Sequence, residues 1–194
     1  FPHPFAPGLP CIVYPSSPAA FGQDGPHTLP MDETHPRRGT PWLTYADNKF
    51  EVEAHLDQLE KKHPEPRIVR LRPTLLLGRR MEEPALGALR RGILPRLGNG
   101  RIPMVWHEHV ADAVMLALFG DARGAFNISA DEPLTAEQFA EAAGLRMVSL
   151  PRPGRAGWAK LAPLLDRSGK AGDPAWLRAG DVDLDVSSER AKRE

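Results

Sequence analysis

Arg67-Ile68-Val69-Arg70-Leu71-Arg72, closed by Pro73, is the stretch that decides the fold: an alternating run that predicts a β-strand. Working upstream, residues from Trp42 to about His63 set Val52, Leu56 and Leu59 on one helical face, and Pro64 and Pro66 end the pattern. Further upstream, Cys11-Ile-Val-Tyr14 is a short apolar, β-rich run bounded by prolines, as a buried strand would be. Strand, long helix, strand is the mark of a βαβ unit, so the chain reads as an α/β protein with a parallel sheet.

Outward from this unit the pattern loosens. Ser16 to Gly22 is a turn or loop, and polar, proline-rich sequence runs on to about Thr40. Downstream, Glu83 to Gly92 is a predicted helix, Leu97-Gly-Asn-Gly100 a turn, and Pro103-Met-Val-Trp106 a short extended piece. Val110 to Phe119 is an apolar helix expected to be buried on most sides. Ala125 to Ser129 reads as a strand, and Thr135 with Gln138 as a capping box opening another helix. A helix near Trp158 to Leu165 and one starting at Ser187 or Ser188 complete the pattern, and no internal repeat is visible.

Composition excludes several functions. Among 194 residues, 25 Lys plus Arg balance 25 Asp plus Glu, so there is no basic excess of the kind a nucleic-acid binder uses. No run approaches the roughly 20 apolar residues of a membrane span. A hydrophobic share of 41% is enough for a core. The 21 prolines are about twice the usual share of about 5% and gather before Asp32. The lone Cys11 forbids an internal disulfide framework, and no secretory signal opens the sequence, which together fit a reducing, cytoplasmic setting.

The segment that carries chemistry is Tyr45-Ala-Asp-Asn-Lys49. Four residues apart on a helix is one turn apart on one face. An ammonium beside a phenol favours the phenolate and lowers a tyrosine pKa from about 10, toward values useful to a general acid or base. The strands that end at Ser16-Ser17 and at Arg72-Pro73 would gather with this helix at one edge of a parallel sheet, where ligands bind.

Here the sequence resembles the extended short-chain dehydrogenase/reductases, the epimerase/dehydratase group. The matching pieces, in the family's order, are Val13-Tyr-Pro-Ser16-Ser17-Pro-Ala-Ala-Phe-Gly22, Tyr45-x-x-x-Lys49 and Arg70-Leu-Arg-Pro-Thr-Leu-Leu-Leu-Gly78. Leu97-Gly-Asn-Gly100, His109-Val-Ala-Asp112 and Gly124-Ala-Phe-Asn-Ile128 follow, and Ser187 to Glu194 resembles the start of the last motif. The resemblance implies the C-terminal part of a Rossmann-type doubly wound sheet with a smaller mixed substrate domain. Residues 1–80 would be part of the NAD(P)-binding domain and 81–194 mainly the substrate domain, with 105–129 returning to the first. It implies hydride transfer at a carbinol carbon with NAD or NADP and a small-molecule substrate. Tyr45 would be the catalytic acid/base, Lys49 its partner and a ligand of the nicotinamide ribose, and Ser17 the group orienting the reacting oxygen. Ser16, Tyr45, Lys49, Pro73 and Leu75 would contact the cofactor. A homodimer built on the Tyr45 helix is the family's common assembly.

The sequence departs from the pattern in two ways. The family's opening strand and glycine-rich loop, which receive the pyrophosphate at a helix N-terminus, do not occur in these residues. The sequence is therefore expected to be the C-terminal portion of a longer enzyme, to bind a dinucleotide poorly alone, and to leave the Cys11 strand with an unpaired edge. Around the substrate, Phe21 replaces the common tyrosine, Leu75 an asparagine, Leu77 a tyrosine and Arg79 a proline, and the arginine before His109 is absent. The site is thus more apolar, and a less polar hydroxy or keto compound competes with a nucleotide sugar. The alternative from another class is a non-catalytic NAD(P)-binding or interaction module on the same fold.

The remaining features carry bland expectations. His107-Glu108-His109 has no apparent third metal ligand and is expected to be structural. Asp112 is expected to cap or anchor the apolar helix, and Cys11 to be an inert core thiol. The sequon at Asn127 is expected to lie in a buried strand. Arg90, Arg91 and residues 152–155 are expected on a solvated face.

Overall fold

The computed structural model describes residues 10–78, 92–96, 100–149 and 183–194. Strand β1 (Cys11–Pro15) is followed by a 3-10 turn (Pro18–Phe21), helix α1 (Thr44–Lys62) and strand β2 (Arg67–Pro73). The βαβ unit read from the sequence is therefore present, with its two strands parallel, Cys11 opposite Arg67 and Pro15 opposite Leu71. Strand β7 (Gly124–Ile128) adds to the far side of β2, also parallel, giving a sheet of order β1-β2-β7. Among the described residues no strand lies on the outer edge of β1.

The two faces of β2 bury different chemistry. Val69 and Leu71 join Val105, Ala117, Phe126 and Ile128 in an apolar core under helix α2 (His107–Phe119). Arg67 points the same way and donates to the carbonyls of Ala117, Leu118 and Ala122 at the end of α2. Arg70 and Arg72, out of phase with these residues, face α1 and its carboxylates. The alternation follows from the pleat, in which successive side chains leave on opposite faces.

Short strands build the remainder: β3 (Leu75–Leu77), β4 (Ile93–Arg96), β5 (Arg101–Ile102), β6 (Met104–Trp106), β8 (Leu134–Thr135) and β9 (Arg146–Ser149). They form three two-stranded pairs, β3-β6, β4-β9 and β5-β8. Leu94, Met104, Phe139 and Ala140 close a second core there, under helix α3 (Ala136–Ala142). The capping box at its start is complete: Thr135 accepts from the Gln138 amide, and the Gln138 side chain accepts from the Thr135 amide. The last helix, α4 (Glu189–Arg193), starts after Ser188.

Two expectations about helix α2 are overturned. The apolar helix begins at His107, not Val110, and is not buried on most sides: of its side chains only Ala117 is buried, while Leu116 is 73% and Phe119 80% exposed. The physical reason is coverage, since β1 and β2 meet only the face carrying Val110, Ala113, Val114 and Ala117, and no described residue covers the other. Asp112, expected as a cap or anchor, sits exposed within the helix, whose first residue follows Trp106. Cys11 is half-buried, its Sγ 3.7 Å from the Ala117 carbonyl. The predicted helices at 83–92 and 158–165, the turn at 97–100, Arg79, Arg90, Arg91 and 152–155 lie wholly or largely outside the described residues.

Candidate functional site at the ends of β1 and β2

The chain leaves β1 through Pro15, Ser16 and Ser17 at the C-terminal edge of the sheet, and the Ser16 amide donates to the Leu71 carbonyl at 2.6 Å. Ser17 caps the following 3-10 turn, its hydroxyl accepting from the Ala19 amide at 3.2 Å, with Pro18 at the first turn position. Gly22 ends the turn at φ +96°, and a Cβ there would lie 3.0 Å from that of Arg38, so only glycine fits this corner.

Helix α1 starts against this corner. Asp47 accepts from the Thr40 amide at 2.8 Å, and the Thr40 hydroxyl accepts from the Gln23 amide at 2.9 Å, which joins the loop to the helix. Tyr45, in the first turn, is 42% exposed. Lys49, one turn on, donates to the Pro15 carbonyl at 2.7 Å. Its ammonium lies 4.9 Å from the Tyr14 ring centroid and 5.6 Å from that of Tyr45. Burial lowers the Lys49 pKa below its ordinary value, against the opposing pull of the Glu53 charge. Burial raises that of Tyr14, with Glu53 and Tyr45 adding to it.

The structure brings Ser16, Ser17, Lys49 and Pro73 to one end of the sheet, with Tyr45 on the helix face that carries Lys49. Leu75 lies two residues beyond Pro73 in β3, half-buried and paired with Met104. Ser16 is buried, and its hydroxyl donates inward to Glu53 at 2.5 Å.

Glu53 is the residue that sequence reasoning missed. It is fully buried and accepts from Arg72 through Nε at 2.9 Å and Nη2 at 2.6 Å, and from Arg37 at 2.9 Å. Arg37 also pairs with Asp57, and Arg70 bridges Asp57 and Glu60, each at 3.0 Å. Burial pushes the Glu53 carboxyl up. The hydrogen bonds and charge of Arg72, with Ser16 and Arg37, outweigh that and hold it below the usual carboxylate range. The Arg72 guanidinium also lies 4.7 Å from the Phe21 ring centroid, beneath the 3-10 turn.

The loop between the turn and α1 is pinned from the far side. His27 Nε2 donates to the Gly22 carbonyl at 3.0 Å, so its Nδ1 accepts from His35 Nε2 at 3.1 Å. Asn127, fully buried in β7, donates to the carbonyls of Met31 and Ser187, while its amide donates to Glu33 at 2.7 Å. That places the sequon nitrogen in the interior. His107 sits at the start of α2 with Nδ1 3.3 Å from the Leu77 carbonyl and 2.9 Å from Glu108. Among the described residues no group of three or more His, Cys, Asp and Glu is arranged to hold a metal ion, and no helix is long and apolar enough to cross a membrane.

No family model and no curated protein matches the chain. Solved structures do. UDP-glucose 4-epimerase from Thermus thermophilus in complex with NAD is similar at 26% identity and TM-score 0.57, over 76% of this chain and 53% of that one. UDP-glucose 4-epimerase from Thermotoga maritima with UDP-glucose matches 96% of this chain and 57% of its own, at 19% identity and TM-score 0.64. A short-chain dehydrogenase/reductase superfamily protein from Agrobacterium tumefaciens with bound NAD matches at 19% identity and TM-score 0.55, over 74% of this chain and 56% of its own. This chain therefore spans a little over half the length of each of these structures. Its parallel β1-β2-β7 sheet and its similarity to them give it the Rossmann-type fold of the extended short-chain dehydrogenase/reductases, the epimerase/dehydratase group.

Proposed function

We propose that the protein carrying this chain is an NAD(P)-dependent oxidoreductase, epimerase or dehydratase that moves hydride at a carbinol carbon, with Ser17, Tyr45 and Lys49 as its catalytic set. The observation that carries this reading is the Lys49 ammonium, held at the end of β1 by the Pro15 carbonyl and one helical turn from a half-exposed tyrosine. The donor set suits the nicotinamide end of a dinucleotide: an exposed phenol, a partly buried ammonium and two parallel strand ends meet there. When bound, the nicotinamide supplies the hydride acceptor or donor.

The chain's own residues would do the rest. Tyr45 would take the proton from a hydroxyl that is oxidised, or return it to a carbonyl that is reduced. Lys49 would hold the ribose and, through its charge, favour the phenolate. Ser17 would orient the reacting oxygen, while Pro73 and Leu75 flank the ring. Ser16 would contribute through its main chain, because its hydroxyl is engaged by Glu53. Residues 1–80 would form part of the cofactor domain and 81–194 mainly the substrate domain, with 105–129 returning to the first. The substrate would be a nucleotide sugar, as the Thermus and Thermotoga names suggest, or a less polar hydroxy or keto compound, as Phe21, Leu75 and Leu77 favour. A second copy of the chain would pack along α1, whose outer face includes the exposed Val52.

Titrating the protein that carries this chain with NAD and NADP, then assaying sugar nucleotides and small hydroxy compounds, tests the reading. Binding with redox or isomerisation turnover is expected. Binding without any turnover would favour a non-catalytic nicotinamide-binding module, and no binding would end both readings.

A further inference from the structure

The two segments that carry the proposed catalytic set, the end of β1 and helix α1, meet the end of β2 and the Arg37 loop at one buried carboxylate. Glu53 lies one helical turn beyond Lys49 and two beyond Tyr45, on the same side of α1. Ser16, next to Ser17 at the end of β1, donates to it at 2.5 Å. Arg72, next to Pro73 at the end of β2, grips it with two nitrogens at 2.9 and 2.6 Å. Arg37, from the loop that pins the Gly22 corner, supplies a third cationic contact at 2.9 Å.

A leucine would bury more cheaply at this position, because taking an ion pair out of water costs free energy that mutual attraction often only offsets. What a carboxylate adds is direction: each oxygen accepts from fixed donors, so a shift of α1 along or away from the strands stretches several charged hydrogen bonds at once. The geometry points to Glu53 as a positioning residue for the reaction, tying the ends of β1 and β2 and the Arg37 loop to α1. It thereby fixes Tyr45 and Lys49 relative to Ser17 and Pro73. This inference rests on the proposed roles of Tyr45 and Lys49.

A second link is electrostatic. Lys49 faces Tyr14 from β1, and Tyr45 and Glu53 from its own helix, while Arg72 from β2 and Arg37 from the loop face Glu53. Of these groups Glu53 carries the negative charge that raises the Lys49 pKa, opposing but not cancelling the lowering by burial.

The test reads Lys49 directly, by NMR of isotopically dimethylated lysines in the protein carrying this chain, with the Lys49 signal assigned from Lys49→Arg. In Glu53→Gln the Lys49 titration midpoint is expected to move down, and kcat to fall about 10–100-fold with KM little changed, since a small misplacement of reacting groups has that effect. An unmoved midpoint with parent-like kcat in a folded Glu53→Gln protein, whatever its melting temperature, would overturn the inference in favour of a merely structural carboxylate. Should Glu53→Gln not fold, Glu53→Asp decides. It keeps the charge but is a methylene too short for all its partners, so a lower kcat with the Lys49 midpoint near that of the parent is expected. Parent-like kcat in Glu53→Asp would overturn the inference. Absence of turnover in the parent protein would instead overturn the functional reading, while the Lys49 titration still shows whether Glu53 governs that side chain.

Discussion

Helices α1 and α2 flank the same sheet and invert the usual relation between polarity and burial. On polar α1, Glu53 is completely buried, whereas on apolar α2 Leu116 and Phe119 are 73% and 80% exposed. The difference lies in what each helix is packed against. Arg70 and Arg72 on one face of β2 require carboxylates, which α1 supplies from Glu53, Asp57 and Glu60. Val69 and Leu71 on the other face require only a narrow apolar stripe, which Val110, Ala113, Val114 and Ala117 provide. Burial thus follows the partner surface and not the mean hydropathy of the helix. The helix held by directional charge is the one that carries the candidate site.

If that contrast is right, the largest stability effects belong to the charged face. Arg72→Leu leaves Glu53 buried without its bidentate partner and should cost about 3–5 kcal/mol in urea unfolding; a loss below about 1 kcal/mol would break the comparison. The same network makes a pH prediction. The Glu53 pKa is depressed in the folded state, so its contribution to stability is fully present above the unfolded value of about 4.3 and is lost as pH falls through the folded one. Melting temperatures followed downward from pH 5 should therefore fall more steeply in the parent than in Glu53→Gln, and parallel curves would contradict the assignment. A local device with no part in the contrast, the capping box of α3, gives a scale: Thr135→Ala should cost about 1 kcal/mol. The smallest effect is expected on the exposed face of α2, where Leu116→Ser or Phe119→Ser in this chain should stay within about 0.5 kcal/mol. A larger loss there would show that this face is covered in solution.

The parts legible in the sequence are those with strong local signals. Prolines bracket Cys11–Pro15 and follow α1, and Thr135 with Gln138 marks a helix start by its chemistry alone; of the apolar residues read on one face of α1, Leu56 is buried but Val52 is exposed. Tyr45 and Lys49 were legible because one helical turn relates them. Of the short pairs β3-β6 and β5-β8 only β6 showed, as the extended piece at Pro103–Trp106; the other strands, of two or three residues, hold no measurable period, and their partners are distant in sequence. The Glu53 network was missed for another reason: carboxylates on a long helix read as a solvated face. The signal lay in β2, where Arg70 and Arg72 share one face of a strand whose Ile68, Val69 and Leu71 are apolar. A sheet flanked by helices cannot bury two guanidiniums without acids opposite, and Glu53, Asp57 and Glu60 follow Lys49 at helical spacing. The exposure of α2 depends on what lies beyond its stripe, which the local pattern does not encode.

The proposed function depends most directly on one phenol. The decisive measurement is kcat for Tyr45→Phe against the parent, in the protein that carries this chain, with NAD(P) affinity and folding measured alongside. A fall of about 10²–10⁴-fold is expected, the usual worth of a positioned general acid or base, with cofactor affinity and melting temperature nearly unchanged. Turnover that survives the loss of the Tyr45 hydroxyl would contradict the proposed function.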